Sequence, residues 1–294
     1  MLAFMRKYPL ASYFALALAI SWGAVLAVIL PGPMQAAPED ANRLFPFVYL
    51  AMLTGPSIAG VLLTWITGGT PGVRSLWGRL LTWRVAGRWY LVALLTAPAV
   101  LCATLVVLLQ LPADFTPAFL HAGGSVLFAG SSPLTFILLA LAVGVGAGLF
   151  EEIGWTGFAT PRLMPRGITA ILFLGFFWGL WHFLPTWWGS AEAFGTASVP
   201  LFMLVALFSF IPPYRILMTW VYEKTESLLI AVLMHASLTG SMLLMAPSVT
   251  GGDSIIYNLA FSGLLWVVVG IVSAYRLRHA AAVLSSAHPR GVET

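Results

Sequence analysis

The chain has 294 residues, of which 60% are hydrophobic and only 8% charged, with a formal net charge of +4. Soluble domains carry about 25% charged residues, so this composition excludes a soluble globular protein and marks an integral membrane protein. The basic balance reads as a membrane topology signal rather than a nucleic-acid surface, and a lone cysteine, Cys102, excludes a disulfide framework and a Cys-based metal site.

Arg6 and Lys7 precede an apolar stretch over 10–30. It is too long for the core of a secretory signal and has no clear small-x-small cleavage site, which predicts a retained first span. Further runs of spanning length lie at approximately 45–66, 90–111, 134–158, 168–187, 199–221, 228–246 and 255–275. Crossing roughly 30 Å of hydrocarbon takes about 20 residues of helix, and only helices or closed barrels satisfy their backbone in lipid. The runs are long and do not alternate, so the fold class is an all-α membrane protein, a bundle of about eight transmembrane helices around a polar intramembrane cavity. In the sixth run Pro212-Pro213, with Arg215 just beyond, predict a kink or an early end. Between the second and third runs Val73, Leu76, Trp77, Leu80 and Leu81 recur at helical spacing among arginines. That pattern suits an amphipathic helix in the membrane interface, a solvated basic connector being the alternative. With no repeat and no linker, residues 1–294 read as one polytopic membrane domain.

With eight spans, one side collects Arg6, Lys7, Arg74, Arg79, Arg84, Arg88, Arg162, Arg166, Arg215, Lys224, Arg276, Arg278 and Arg290, and the other only Arg43. The positive-inside rule then predicts a multi-pass cell-membrane protein with both termini cytoplasmic.

Ionisable residues inside apolar runs are costly and mark paired or working groups. The fourth run carries Glu151 and Glu152 toward its end, the fifth carries His182 and the seventh His235. Adjacent residues on a helix point about 100° apart, so one glutamate can face a substrate while the other orients it or bonds a neighbouring helix. A carboxylate held in low dielectric suits a general base acting on water; the plainer alternative is a helix end at the interface. Gly144 and Gly148 form a GxxxG that lets another helix approach closely and bring a histidine within reach. Trp178 and His182 share a helix face, as do His235 and Thr239. Each histidine has a simpler reading as a helix-to-helix hydrogen bond. Counting along straight spans, Glu151 and His235 lie about 11 Å from the cytoplasmic helix ends and His182 about 21 Å, so for all three to meet the fifth span must begin near Leu172 or tilt strongly.

The segments EEIGWTGFATPRL, FFWGLWHFLP and WVYEKTESLLIAVLMHASLTGS resemble the three motifs of the CPBP intramembrane proteases, which include the type II CAAX prenyl endopeptidases and the bacteriocin-processing and immunity (Abi-like) proteins. The motif region covers 144–239. The resemblance implies that Glu151, with His182, activates a water for peptide hydrolysis, that Glu152 supports it, and that His235 and Thr239 stabilise the oxyanion. Three positions depart from the family pattern: Thr156 stands for an arginine, Trp178 for a phenylalanine and Thr239 for an asparagine. Arg162 cannot replace the arginine, being about 16 Å further along a straight helix. The expected partners are a membrane-associated peptide or protein substrate and the bilayer, without nucleic acid, and the cavity is expected to open to the cytoplasm. Two routes stay open: a metal-free glutamate mechanism, or a metalloendopeptidase in which zinc is held by Glu151, His182 and His235 without an HExxH spacing. A catalytically silent scaffold or bacteriocin-immunity protein is the alternative function, and a transporter a third.

Overall fold

A computed structural model describes residues 1–120 and 131–287, the side chains of 279–287 excepted. The described chain is helical without strands, and eight of its helical stretches are long and apolar enough to cross a membrane. In chain order the helices are α1 (Leu2–Lys7), α2 (Pro9–Ile29), α3 (Pro38–Leu80), α4 (Gly87–Leu108), α5 (Pro133–Gly154), α6 (Thr160–Leu163), α7 (Ile168–Trp181), α8 (Phe183–Gly189), α9 (Ala191–Phe194), α10 (Val199–Phe208), α11 (Ile211–Thr225), α12 (Leu228–Met245) and α13 (Gly251–Ala287). Arg290, grouped above with the basic side, lies outside the described residues.

The bundle has two chemically distinct ends. The basic end gathers the α1 arginine and lysine, the α3–α4 connection, the α6–α7 turn, the α11–α12 turn and Arg276 and Arg278 of α13. The opposite end gathers the described parts of the connections α2–α3, α4–α5, α8–α10 and α12–α13, with Glu39, Asp40, Asp114, Glu192, Asp253 and, among the described residues, Arg43 as the single lysine or arginine.

α5 and α12 share the most extensive helix contact, followed by α2 with α3, α4 with α12, α7 with α11 and α3 with α5. Small residues make the first contact possible. A Cβ on Gly144 would collide with the Ala236 carbonyl oxygen, and one on Gly148 with that of Val232. In lipid, where apolar burial gives helices little reason to associate, such backbone approach supplies the dispersion that holds them. The GxxxG reading is thus met, and the helix it admits is the one that carries His235.

Four breaks in the spans shape the interior. At Gly69 the backbone takes φ 58°, a conformation suited to glycine, and α3 turns there before running on to Leu80. α5 passes into one π-helical turn, Trp155–Ala159, directly after the glutamate pair. The Thr160 hydroxyl donates to the Trp155 carbonyl across that turn at 2.8 Å. The fifth span is interrupted at His182, between α7 and α8. The sixth breaks at 209–210, one turn before the proline pair, and Pro212 and Pro213 sit in the first turn of α11, where a missing N–H costs nothing.

The amphipathic stretch after Gly69 is helical, as expected, but it also seals the bundle. Leu76 is fully buried and packs with Ile153, Leu228 and Val232. Arg79 donates to the Tyr222 hydroxyl at 2.6 Å and to the Gly157 carbonyl at 2.8 Å, and Ser227 donates to the Thr82 carbonyl at 2.6 Å. The basic end of the bundle is therefore closed beneath the glutamates.

Candidate active site

Glu151 and Glu152 leave α5 in different directions, as adjacent helical residues must, and both are buried. Glu152 is wholly consumed by protein. Its two carboxylate oxygens accept a guanidinium fork from Arg215, at 2.9 and 3.0 Å. His235 Nδ1 lies 2.7 Å from Glu152 Oε1, and the Thr156 hydroxyl donates to Oε2. Arg215 is itself fully buried, reaches the Thr156 hydroxyl at 3.3 Å and lies over the Trp178 ring, 4.1 Å from its centroid. A bidentate guanidinium–carboxylate pair stacked on an indole holds a carboxylate far more rigidly than a lysine would.

Glu151 is engaged differently. The Trp178 indole N–H donates to its Oε2 at 2.8 Å, and its Oε1 lies 3.9 Å from His235 Nε2. It lines a cavity of about 500 Å³ together with Trp178, His182, His235 and Thr239, whereas Glu152 lines none of it. One glutamate faces the open space and the other anchors the wall behind it.

His182 resolves the depth mismatch found by counting along the helices. The fifth span begins at Ile168 without any delay, and the residue that meets the glutamates is Trp178, one turn closer to the basic end. His182 stands a turn further out on the cavity wall. Its Nδ1 pairs with the Trp178 carbonyl at 2.9 Å, and its ring packs edge-on to Trp181. Thr239 follows His235 by one turn on the same wall.

Two expectations need correction. Arg215, grouped by charge with the basic loops, belongs to the site: it lies inside the bundle on α11, carried there by the helix that restarts after the break. The signal available in the sequence was an arginine within an apolar run, which marks a paired or working group. It also answers the missing family arginine, since Thr156 and Arg215 meet on the same glutamate oxygen. Arg162, as expected, does not substitute: it bonds the Phe158 carbonyl and Thr67.

The second correction concerns the opening. The cavity wall runs from Glu151, Trp178 and Ile211 outward to Ala41, Ser190, Leu243 and Asn258, all toward the end opposite the basic loops. It does not open to the basic end, because the packing of Leu76, Leu228 and the Arg79 bonds fills that side.

Among the described residues no three His, Cys, Asp or Glu side chains converge as metal ligands. Of the expected ligands, His235 Nδ1 is bonded to Glu152, one oxygen of Glu151 to Trp178 and His182 Nδ1 to a backbone carbonyl, which leaves Nε2 of each histidine and the other Glu151 oxygen toward the cavity. Histidines that bind a metal through Nε2 are oriented by the same kind of Nδ1 bond, so these contacts do not themselves exclude the zinc route.

Residues 133–240, the segment that builds this cluster, match the family described as type II CAAX prenyl endopeptidase Rce1-like. Over this segment the chain is similar to that family. The likeness to the CPBP proteases seen in the motifs is borne out, and the matched segment contains all five expected site residues together with Arg215. The chain is also 28% identical over 188 residues to "CAAX prenyl protease 2" of Methanococcus maripaludis, a match that spans 63% of this chain and 64% of that relative. Less than two thirds of the relative is therefore covered. With its eight apolar helices the protein is a multi-pass membrane protein.

Proposed function

We propose that the protein is an intramembrane endopeptidase of the CAAX-protease type, working without a metal, with both termini in the cytoplasm. One observation carries the reading: of two adjacent buried glutamates, Glu152 is saturated by Arg215, His235 and Thr156, while Glu151 faces the cavity with an oxygen free for a water. In this mechanism Glu151 takes a proton from water as the oxygen attacks the scissile carbonyl, and His182, on the same wall, orients that water. The oxyanion forms against His235 Nε2 and the Thr239 hydroxyl. The proton held by Glu151 then passes to the departing amine nitrogen as the C–N bond breaks. With Nδ1–H given to Glu152, His235 donates to the oxyanion through Nε2 when the ring carries its second proton.

Purified protein in liposomes, incubated with membrane-inserted peptides, tests this. Wild type should cleave, while Glu151→Gln and His182→Ala should each lower turnover by about a hundredfold or more, the scale of a general base. Undiminished cleavage by Glu151→Gln would remove the water activation, because an amide cannot accept the proton. Cleavage of no peptide by any form would favour the silent scaffold or immunity protein.

A further inference from the structure

The wall of the cavity has a direction. Its floor is the glutamate cluster, and every helix that contributes to it does so between that depth and the end carrying Glu39, Asp40, Asp114, Glu192 and Asp253. A second hollow of about 350 Å³ continues it outward, sharing Ala41, Gly189, Met242 and Leu243 and adding Glu192 and Asn42. On the other side of the floor the chain is packed solid by Leu76, Ile153, Leu228 and Val232 and latched by Arg79 to Tyr222 and Gly157. The seam between α3 and α5 is closed at cavity level by the Tyr49 hydroxyl, which donates to the Val143 carbonyl at 2.5 Å.

The charges say which compartment each end faces. The packed end holds the arginines and lysines that membrane insertion retains in the cytoplasm, even with Arg215 removed from the count. We infer that the site takes its substrate from the non-cytoplasmic face: the outer juxtamembrane stretch of a membrane-anchored polypeptide, threaded into the apolar cavity toward Glu151. The walls suit such a chain, with Phe45, Met52, Trp188, Phe210 and Met242 among the apolar groups along the path. A tail lipidated on the cytoplasmic side would meet the closed floor instead. This inference names the substrate class of the endopeptidase proposed above and rests on that reading, but its access route can be measured without turnover.

The full-length protein with Cys102→Ser provides a cysteine-free background. Single cysteines are then introduced as Thr186→Cys in the cavity wall, Ser190→Cys at the rim and Gly78→Cys on the exposed face of the basic-end helix. The probe is a membrane-impermeant, positively charged methanethiosulfonate added to spheroplasts, with unreacted thiol counted by a maleimide gel shift. Thr186→Cys and Ser190→Cys should be blocked in intact spheroplasts, and Gly78→Cys only after permeabilisation. Labelled Thr186→Cys should also cleave the liposome peptides at least tenfold more slowly, with labelled Gly78→Cys unaffected. The proposal is overturned if Thr186→Cys reacts only after permeabilisation, or stays unreacted while Ser190→Cys labels. It is equally overturned if Gly78→Cys is the one reached from outside. Labelling as expected with no peptide cleaved by any form would sink the endopeptidase and leave the outward opening standing.

Discussion

Three side chains hold Glu152, and none of them is free to vary independently. Removing Arg215 leaves a carboxylate buried in a low-dielectric wall, so Arg215→Met should cost about 3–5 kcal/mol of stability, the penalty for breaking a buried pair from one side. The double variant Arg215→Met/Glu152→Met should lose less than the two single variants together, because no unpaired charge remains. Thermal melting in detergent reads both; strict additivity would show that the fork is not an energetic unit. Thr239 asks a different question of the same cluster. If its hydroxyl donates to the oxyanion, Thr239→Ser keeps most activity, whereas Thr239→Val, nearly the same shape, loses about 3 kcal/mol of transition-state stabilisation. Equal kcat/KM for valine and wild type would reduce Thr239 to a packing residue. At this scale the glutamates and histidines were legible in the sequence because each interrupts an apolar run. Arg215 was hidden by the same physics that makes charge counting useful: an arginine near the end of a run looks like an anchor until the fold shows that its helix restarts inside the bundle.

Between residues and fold, the α5–α12 contact decides whether His235 reaches Glu152 at all. Gly148→Val would push a side chain into the Val232 carbonyl, and that backbone cannot yield as a flexible side chain would. It should lower the melting temperature and abolish peptide cleavage together. Gly23→Ala meets nothing within 4 Å and should leave both unchanged or raise the melting temperature slightly. If Gly148→Val melts like wild type, the close approach is not what assembles the site. The GxxxG announced this contact, and the proline pair announced a break in the sixth span. The π-helical turn after Glu152 had no sequence signal, because it depends on what surrounds it. Gly154 lies hard against Pro56 and Tyr13, and Leu76 and Leu228 close around Gly157. The wider turn lets the helix continue past those contacts while the glutamates keep their direction.

For the molecule as a whole, the number of spans and their basic asymmetry follow from hydropathy and charge, and the eight long apolar helices agree with them. Reporter fusions at Gly69 should read as cytoplasmic and at Gly251 as external; a cytoplasmic signal at Gly251 would remove the orientation. The direction in which the cavity opens could not be read from the chain. It depends on which flank of the cluster is filled, and the filling comes from a helix 75 residues upstream of Glu151, Leu76 packing beneath it. What unites the scales is the proposed division of labour, with Glu151 facing the cavity as the general base and Glu152 holding the wall. Turnover and melting temperature measured together on Glu151→Gln and Glu152→Gln test it most directly. The account predicts that Glu151→Gln melts like wild type and loses about a hundredfold or more in kcat, whereas Glu152→Gln, facing an unneutralised Arg215, melts markedly lower. Full turnover with a lowered melting temperature for Glu151→Gln, or wild-type melting for Glu152→Gln, would contradict it.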